Sequence, residues 1–552
     1  MLSLNKNSGY KPDQVRYRAT DMMKLLRKWL ILSHRYAGIV LSLFVVIWFA
    51  TGITMMYVGG MPRLTPELRL DKLPNLDLAR VRLTPSEAAE AGLVGDQPGR
   101  TVLLSIMGRP AYRFGSAEPT TVFADSGEVM EGATLAQART IASRFAGVTE
   151  DQVEHVATLT KVDQWTLVQS RQLPLHKFRV DDERGTELYV SPRTGEVTMA
   201  TTRRARGLAW ISTIPHFFYF AALRENQPVW YQFVVWTSGL VCALAVLGLV
   251  LGVLQSVRQK YAGAMRWHYV TGLVFGVFTV TWAFSGLLSM EPFEWTNSRP
   301  LEVRRDVFTG GPVELGQYAA MRPAEWDHIV DGRGIKEIEL ARIQDEHYYM
   351  VRLAHDPEAD KRPERLHQPY YITGRAEPDR LLVRANTLQA RREPFSPDSL
   401  VARLRGAAPD VPIVEQQLLT EYDSYYYSRQ HLTPLPVLRV KFADPGETWF
   451  YIDPSNSTIL SQVTRLSRIE RWLYNGLHSL DFPFWYDMRP AWDIVMIVLL
   501  AGGLMSSSIG LALGFSRVAR SVRRLAPFGD AQGRPAESEA PAPATSLQER
   551  DA

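Results

Sequence analysis

Four apolar stretches set the strongest limit on the fold, because each has about the 20 residues that a helix needs to cross a bilayer. They lie at residues 37–58, 231–254, 270–290 and 494–514, and none contains Asp, Glu, Lys or Arg. Two long polar segments, about 60–205 and 291–470, separate the first stretch from the second and the third from the fourth. The sequence therefore predicts a multi-pass protein of the lipid bilayer with two large domains outside it.

Basic residues beside these stretches predict the topology. They precede the first stretch, occupy the short link between the second and third, and follow the fourth. These residues are Lys6, Lys11, Arg16, Arg18, Lys24, Arg27, Lys28, Arg258, Lys260, Arg266, Arg517, Arg520, Arg523 and Arg524. By the positive-inside rule, both termini are cytoplasmic and the large domains are periplasmic, as in a bacterial inner-membrane protein. We expect no nucleic-acid partner, because the position of these residues at helix ends already explains them.

The chain also repeats its own pattern. Residues of the first apolar helix recur in the third at a constant offset of 234, as His34 and His268 do. Residues around the second apolar helix recur around the fourth at an offset of 262, as His216 and His478 do. Other matched residues are Gly38, Trp48, Gly52 and Met56 with Gly272, Trp282, Gly286 and Met290, and Trp210, Trp230, Gly248 and Gly252 with Trp472, Trp492, Gly510 and Gly514. The sequence thus predicts four transmembrane helices in two tandem repeats, related by a pseudo-two-fold axis along the membrane normal.

The polar segments have the pattern of α+β domains. A helix is predicted to start at the cap-type run Thr84-Pro85-Ser86-Glu87, and strands are predicted at Thr101–Ile106 and Val437–Phe442, with a further helix near Ser396–Leu404. An insertion interrupts the second domain around residues 355–395, and the tail from Pro527 has a disordered composition. The predicted parts are a basic cytoplasmic N-terminus 1–28, transmembrane helix 29–58, outer domain 59–205, interfacial helix 206–230, transmembrane helix 231–256, cytoplasmic loop 257–266, transmembrane helix 267–290, outer domain 291–465, interfacial helix 466–491, transmembrane helix 492–516 and cytoplasmic tail 517–552.

Four of the eleven histidines form two duplicated pairs. His34 and His268 lie at the cytoplasmic ends of their helices, whereas His216 and His478 precede the second and fourth helices on the outer side. The predicted axis brings each pair face to face, which is the axial arrangement of a six-coordinate b-type haem. One pair near each membrane face predicts two haems b held by these four histidines. The alternative is that each histidine is an interfacial anchor and that the nearby glycines serve helix packing.

Two further groups of residues are candidates for binding. Arg35 and Arg266 on the inner side, and Arg224, Arg471 and Arg489 on the outer side, could pair with haem propionates, although each alone is typical of a lipid-headgroup contact. A tyrosine-rich run in the second outer domain is a candidate substrate surface, and the alternative is a strand packed on an apolar neighbour. The candidate residues of this run are Tyr425, Tyr427, Arg429 and His431.

Motifs for other chemistries are absent from the sequence. There is no Gly-rich phosphate loop after a strand, no GxSxG, no HExxH and no CxxC, and the one cysteine, Cys242, lies in the second apolar stretch. The cytoplasmic segments are too short for a nucleotide- or flavin-binding domain. Electrons for any redox chemistry would therefore come from a membrane quinol or from a separate cytoplasmic donor.

The run from Trp29 through His34 to Gly38, leading into Trp48-Phe49-Ala50-Thr51-Gly52, resembles the opening helix of the PepSY-associated transmembrane family, and Leu188–Val197 resembles part of a PepSY module. The resemblance implies PepSY-like outer domains and an inner-membrane protein of iron uptake. For some members it implies a di-haem reductase of ferric siderophores. By this resemblance, His34 corresponds to the family's first haem ligand and His216 to the second. Pro215 precedes His216, where the family has a leucine.

Two alternatives to such a reductase remain open. One is a non-enzymatic PepSY membrane module that binds a periplasmic partner or inhibits a protease. The other is a transporter of iron or haem. The lack of acidic residues inside the membrane segments argues against a path for cations.

Overall fold

Four long helices form the membrane part of the protein. A computed structural model describes residues 12–58, 60–116, 118–255, 261–296, 300–354, 380–427 and 433–525. Within these residues, the helices long and apolar enough to cross a membrane span Met22–Met55, Gln227–Gln255, Gly263–Leu288 and Ala491–Arg524. The α-helices of the described chain are α1 (Pro12–Met55), α2 (Pro66–Lys72), α3 (Pro85–Ala91), α4 (Leu135–Ala146), α5 (Arg203–Ile211), α6 (Thr213–Phe217), α7 (Ala221–Arg224), α8 (Gln227–Gln255), α9 (Gly263–Leu288), α10 (Arg305–Thr309), α11 (Pro323–Ile329), α12 (Pro397–Ala407), α13 (Arg465–Arg471), α14 (Leu477–Ser479) and α15 (Ala491–Leu525).

The long helices pack as a ring in the order α1, α8, α9, α15, and α15 closes the ring against α1. α1 and α9 therefore lie on opposite sides of the bundle. Its interior is apolar and includes Leu41, Val45, Phe49, Val241 and Trp282. Large apolar side chains such as Trp236 and Phe515 point outward and stay exposed. A bundle that is apolar both inside and outside suits a lipid environment, because helices satisfy their backbone hydrogen bonds internally.

Three β-sheets form the framework of the chain outside the bundle. Their strands are β1 (Thr101–Ile106), β2 (Arg109–Phe114), β3 (Thr120–Phe123), β4 (Val153–Leu159), β5 (Leu175–Val180), β6 (Glu187–Ser191), β7 (Glu196–Thr201), β8 (Ile335–Ile343), β9 (Glu346–Leu353), β10 (Arg380–Arg384), β11 (Ala390–Arg391), β12 (Ile413–Leu419), β13 (Val437–Phe442), β14 (Trp449–Asp453) and β15 (Thr458–Val463). Two antiparallel four-stranded sheets, β4-β5-β6-β7 and β12-β13-β14-β15, have the same strand order. The first packs on α4 and the second on α12, and each helix buries its apolar face on its sheet.

A third, seven-stranded sheet joins the two halves of the chain. Its order is β11-β10-β9-β8-β1-β2-β3, and β1 pairs antiparallel with β8 through Thr101–Leu340 and Leu104–Glu337. The sequence predicted two outer domains, 59–205 and 291–465, and did not predict strand pairing between them. Much of the 355–395 insertion (355–379) and the tail from residue 526 lie outside the described residues.

Ion pairs hold this junction between the halves. Glu337 on β8 is fully buried and binds Arg69 at 3.0 Å and Arg352 at 2.6 Å. Arg69 also binds Glu196 on β7 at 2.7 Å, and Arg113 on β2 binds the other oxygen of the same carboxylate. A buried carboxylate needs such partners, because an unpaired buried charge lowers the free energy of unfolding by roughly several kcal/mol. The network therefore connects the first four-stranded sheet to the seven-stranded sheet.

Candidate functional site

His34 on α1 and His268 on α9 face each other across the bundle. Their ring centroids are 6.4 Å apart and the ring planes are inclined by 32°. Nδ1 of His34 lies 3.3 Å from the carbonyl oxygen of Leu244, and Nδ1 of His268 lies 3.1 Å from that of Ser506. Because a carbonyl oxygen can only accept, Nδ1 carries the hydrogen in both rings. This leaves the Nε2 lone pair of each ring available to a metal ion.

Two glycines make room for these rings. A Cβ atom added to Gly248 on α8 would lie 2.8 Å from Cε1 of His34, and one added to Gly510 on α15 would lie 3.0 Å from Cε1 of His268. Contacts this short require a neighbour to move. Helix packing is the alternative role that the sequence predicts for such glycines. In the structure, Gly248 and Gly510 lie against the histidine rings.

His216 and His478 form a second pair at the opposite end of the bundle. His216 lies on α6, which packs on α1, and His478 lies on α14, which packs on α9. Their ring centroids are 6.3 Å apart and the rings are nearly perpendicular, at 84°. A π-helical turn, Trp472–Gly476, precedes α14. Such turns are often found at functional sites.

Hydroxyl groups, in place of carbonyls, hold the rings of this outer pair. Nδ1 of His216 lies 2.9 Å from Oγ1 of Thr51, and Nδ1 of His478 lies 3.0 Å from Oγ of Ser285. Each hydroxyl donates its own hydrogen to a backbone carbonyl, that of Ile47 at 2.7 Å and that of Trp282 at 3.1 Å. The imidazole must therefore be the donor in each contact, so Nε2 is again the free nitrogen.

Tryptophan side chains fix the backbone that carries the outer histidines. Nε1 of Trp48 donates to the carbonyl of His216 at 2.9 Å, and Nε1 of Trp282 donates to that of His478 at 2.8 Å. A second tryptophan binds the carbonyl of the following residue in each half, as Trp230 does with Phe217 at 2.9 Å and Trp492 does with Ser479 at 3.2 Å. Each contact in one half has its counterpart in the other at the offsets of 234 and 262.

The outer histidines lie on short helices outside the four spans, and both are neutral at physiological pH. Burial, helped by the neighbouring His478, lowers the pKa of His216 to about 3. Burial likewise lowers the pKa of His478 to about 4. Neutral imidazole is the form that binds a metal ion.

The two pairs lie far apart along the bundle. His34 and Thr51, which contacts His216, are 17 positions apart on the same helix, and so are His268 and Ser285. At a rise of 1.5 Å per residue this is about 25 Å, close to the roughly 30 Å hydrocarbon thickness of a bilayer. One pair therefore lies near each end of the apolar zone.

The geometry of each pair fits a metal ion between two imidazoles. With bonds of about 2 Å the two nitrogens would be about 4 Å apart and the ring centroids roughly 2 Å further, close to the separations in both pairs. No group of three or more His, Cys, Asp or Glu side chains in the described residues could hold a metal ion together. Two opposed ligands suit an ion whose other positions are filled by a macrocycle, as in haem.

Comparison with known proteins gives the family. Residues 31–367, more than half of the 552 residues, match the PepSY-associated TM region. The chain belongs to this family. His34, His216 and His268 lie within the matched residues and His478 lies beyond them. No curated protein matches the chain.

In this PepSY-associated membrane protein, the tyrosine-rich run packs beside the segment that carries His478. Tyr425 accepts a hydrogen bond from Nε1 of Trp472 at 3.1 Å, and Tyr427 accepts one from Nδ2 of Asn475 at 3.4 Å. Tyr426 is buried and stacks on Tyr451, with ring centroids 4.9 Å apart. Packing thus accounts for Tyr426, but the prediction of a strand here was wrong, because residues 421–427 form a loop between β12 and β13. Arg429 and His431 lie outside the described residues.

The first half places aromatic rings in the same positions. Trp165 lies 6.4 Å from Trp210, as Tyr425 lies 6.2 Å from Trp472, and Trp210 and Trp472 are matched at the offset of 262. Each outer domain therefore contacts the segment leading to its outer histidine through a pair of aromatic rings. The sequence singled out Tyr425 as a candidate substrate residue and predicted neither of these contacts.

Most of the basic candidates have partners within the protein. Arg471 forms a buried ion pair with Asp481 at 2.8 Å, and Arg489 pairs with Asp493 on α15. The guanidinium of Arg224 lies 4.3 Å from the ring centroid of Trp230, and that of Arg489 lies 4.0 Å from that of Trp492. These arginines stabilise the tryptophans beside the outer histidines, whereas their pairing with haem propionates stays a prediction.

Proposed function

We propose that this protein is an inner-membrane di-haem b electron conduit that reduces a ferric complex, with a ferric siderophore as its substrate class, in iron uptake. The observation that carries the proposal is the presence of two opposed histidine pairs about 25 Å apart along one helix bundle. In each pair the ring centroids lie little more than 6 Å apart, at 6.4 Å and 6.3 Å, and Nδ1 of every ring is engaged, so that Nε2 is the nitrogen left for a ligand bond. A protein that needed these histidines only as interfacial anchors would not require matched Nδ1 acceptors for all four.

The residues present fit haem as the bound group. His34 and His268 would hold one haem, and His216 and His478 would hold the other. Haem supplies a reversible one-electron couple when it is bound. The chain's own residues fix the tautomer of each histidine, leave room beside two of the rings, and exclude water from the apolar space between the pairs. With two histidines for each haem, no position would stay open for a substrate on the iron, which suits electron transfer.

The proposed reaction moves one electron for each ferric ion. A membrane quinol or a cytoplasmic donor is oxidised on the inner side, and Fe(III) in the complex is reduced to Fe(II) on the outer side. Hard oxygen donors bind Fe(III) far more tightly than Fe(II), so reduction weakens the complex and favours release of the ion.

We also propose the finer topology. The two halves are tandem copies in the same orientation, with cytoplasmic termini and with both outer domains in the periplasm. The paired hydrogen bonds at constant offsets support the duplication, as those of Trp48 and Trp282 do. The basic residues at the ends of the spans support the orientation.

The deciding experiment is the visible spectrum of the protein purified in detergent. We expect two haems b per chain, with a Soret band that shifts on reduction by dithionite. Protein in vesicles that enclose a reductant should then reduce an external ferric complex, measured with an Fe(II)-specific chelator. A colourless protein that captures a periplasmic partner would instead support a non-enzymatic PepSY module and would overturn the reductase proposal.

A further inference from the structure

Two buried hydroxyls distinguish the outer histidine pair from the inner one. Thr51 is 6% exposed and Ser285 is fully buried, and each hydroxyl oxygen accepts the Nδ1 hydrogen of an outer histidine. The two positions are matched at the offset of 234. The inner histidines use the backbone carbonyls of Leu244 and Ser506 for the same purpose. Only the outer pair is therefore held by side chains.

Each hydroxyl forms a short hydrogen-bonded chain. The imidazole donates to the hydroxyl, which in turn donates to a carbonyl of its own helix, at Ile47 or Trp282. Chains of hydrogen bonds in a low-dielectric interior polarise one another, so the hydroxyl becomes a better acceptor. A stronger acceptor at Nδ1 makes the opposite nitrogen a better electron donor to a bound metal ion.

The same contacts fix the orientation of the rings. His216 lies on a helix of five residues, and His478 lies in the last turn of the continuous helical segment formed by α13, the π-helical turn and α14. The residue after each of these helices, Phe218 or Leu480, is in the left-handed conformation, with φ of 52° or 49°. Each histidine therefore lies within two residues of a helix end, where a helix frays most easily. A bond from the ring to a rigid membrane helix is then what holds the ring toward its partner.

We propose that Thr51 and Ser285 are positioning residues for the outer haem, which orient His216 and His478 and hold the midpoint potential of that haem below the value it would otherwise have. This inference rests on the proposed function. A ligand that donates more electron density stabilises the ferric state more than the ferrous state. Loss of the hydroxyls must therefore move the potential of the outer haem in the positive direction, while that of the inner haem stays unchanged.

The test is a spectroelectrochemical titration of Thr51→Val, Ser285→Ala and the double variant, each as the full chain with its haems. His216→Ala, which keeps only the inner haem, identifies which of the two waves belongs to the outer haem. Thr51→Ser and Ser285→Thr retain the hydroxyl and are the matched controls. Thr279→Val controls for loss of a hydroxyl elsewhere on α9, since that hydroxyl donates to the carbonyl of Phe275 at 3.2 Å.

We expect a positive shift of the outer wave in the hydroxyl-free variants, larger in the double variant, and none in the controls. Loss of the outer haem from Thr51→Val but not from Thr51→Ser would support the positioning role in the same way. Unchanged potentials and haem content in the double variant overturn the inference and leave the proposed function intact. Loss of the outer haem from the hydroxyl-retaining variants as well would also overturn it, because side-chain volume would then be decisive. A wild-type protein without haem overturns both proposals, before any variant is made.

Discussion

The inner and outer histidine pairs have nearly the same separation and are built in different ways. His34 and His268 lie within the continuous helices α1 and α9, His268 in the second turn of α9, and backbone carbonyls of α8 and α15 hold their rings. His216 and His478 lie on short helices that lead from the outer domains into the bundle, and side chains of α1 and α9 hold their rings and backbone. The inner pair thus depends on helix packing alone, whereas the outer pair also depends on the domain that precedes it in the chain.

This difference shows how two similar ligand sets can be adjusted separately. A backbone carbonyl cannot be changed by substitution, so the surroundings of the inner rings can vary mainly through the small residues packed on them. The outer rings have side-chain partners at several positions. We therefore expect substitutions to act on one pair at a time, and the following predictions test that expectation from the largest effect to the smallest.

The largest effects are expected for the ligands themselves. His34→Ala should remove the inner haem and His216→Ala the outer haem, so that each variant retains about one haem of two. The measurement is haem content per chain together with the reduced-minus-oxidised spectrum of each variant.

The corresponding variants in the other half supply the control. His268→Ala should reproduce the spectrum of His34→Ala, and His478→Ala that of His216→Ala. If His34→Ala and His216→Ala lost the same haem, the assignment of one pair to each end of the bundle would be wrong.

Crowding of the inner pair is expected to have the next largest effect. In Gly248→Ala the new methyl group would lie 2.8 Å from Cε1 of His34, and overpacking of this kind costs about 1–3 kcal/mol. We expect partial loss of the inner haem and a lower thermal midpoint in detergent, with the outer haem retained.

The matched control is Gly239→Ala on the same helix, because a Cβ at that position has no atom within 4 Å. It should keep both haems and the thermal midpoint of the wild type. Equal haem loss in both variants would mean that helix α8 as a whole, rather than its contact with His34, is sensitive to the substitution.

A smaller effect is expected at the tryptophan that supports the outer pair. Trp282→Phe removes the hydrogen bond from Nε1 to the carbonyl of His478, at a cost of about 1 kcal/mol. The outer haem should dissociate faster on dilution into haem-free detergent, and the inner haem should not. Trp48→Phe should behave in the same way, because Trp48 makes the matching bond to His216. Faster loss of the inner haem would contradict the separation of the two pairs.

The smallest effect concerns the outer domains under acid conditions. Although burial opposes ionisation of Glu196, Arg113 and Arg69 hold its pKa below the ordinary value. A carboxylate with a lowered pKa in the folded state contributes stability that is present above its unfolded pKa of about 4.3 and is lost as the pH falls through the folded value. Below about pH 4 we therefore expect lower protection factors for hydrogen exchange in β2 and β7, after correction for the intrinsic exchange rate at each pH. In Glu196→Gln this dependence on pH should be weaker, and an unchanged profile would argue against the network as its source.

The sequence was sufficient to predict the membrane helices and the pairing of the histidines. The second and fourth apolar stretches fall within α8 and α15, and the first and third extend past the ends of α1 and α9 by three and two residues. A run of about 20 apolar residues has few alternatives to a membrane helix. Local capping and alternation also predicted several outer elements. The strands at Thr101–Ile106 and Val437–Phe442 have the predicted bounds, and Thr84 and Glu87 form a capping box at the start of α3.

The specific strand and ion pairs outside the bundle were not predicted. Pairing of β1 with β8 joins residues more than 230 positions apart, and nothing in either strand specifies that partner. The buried pair of Arg471 with Asp481 likewise cannot be distinguished in sequence from two exposed charges. Thr51 and Ser285, in contrast, did carry a signal. Both are hydroxyl residues at the offset of 234, directly before the matched glycines Gly52 and Gly286.

The seven-stranded sheet also has a consequence for synthesis of the protein. In the proposed topology, strands β1, β2 and β3 cross the membrane before β8 has been synthesised. The edge of β1 therefore stays open until the chain has been extended through residues 335–343 and that segment has been exported. An open strand edge is a template for aggregation, so this interval is a vulnerable one. Neither half can complete its share of this sheet alone, and the protein should therefore tolerate division into two separately expressed halves only when both are made together.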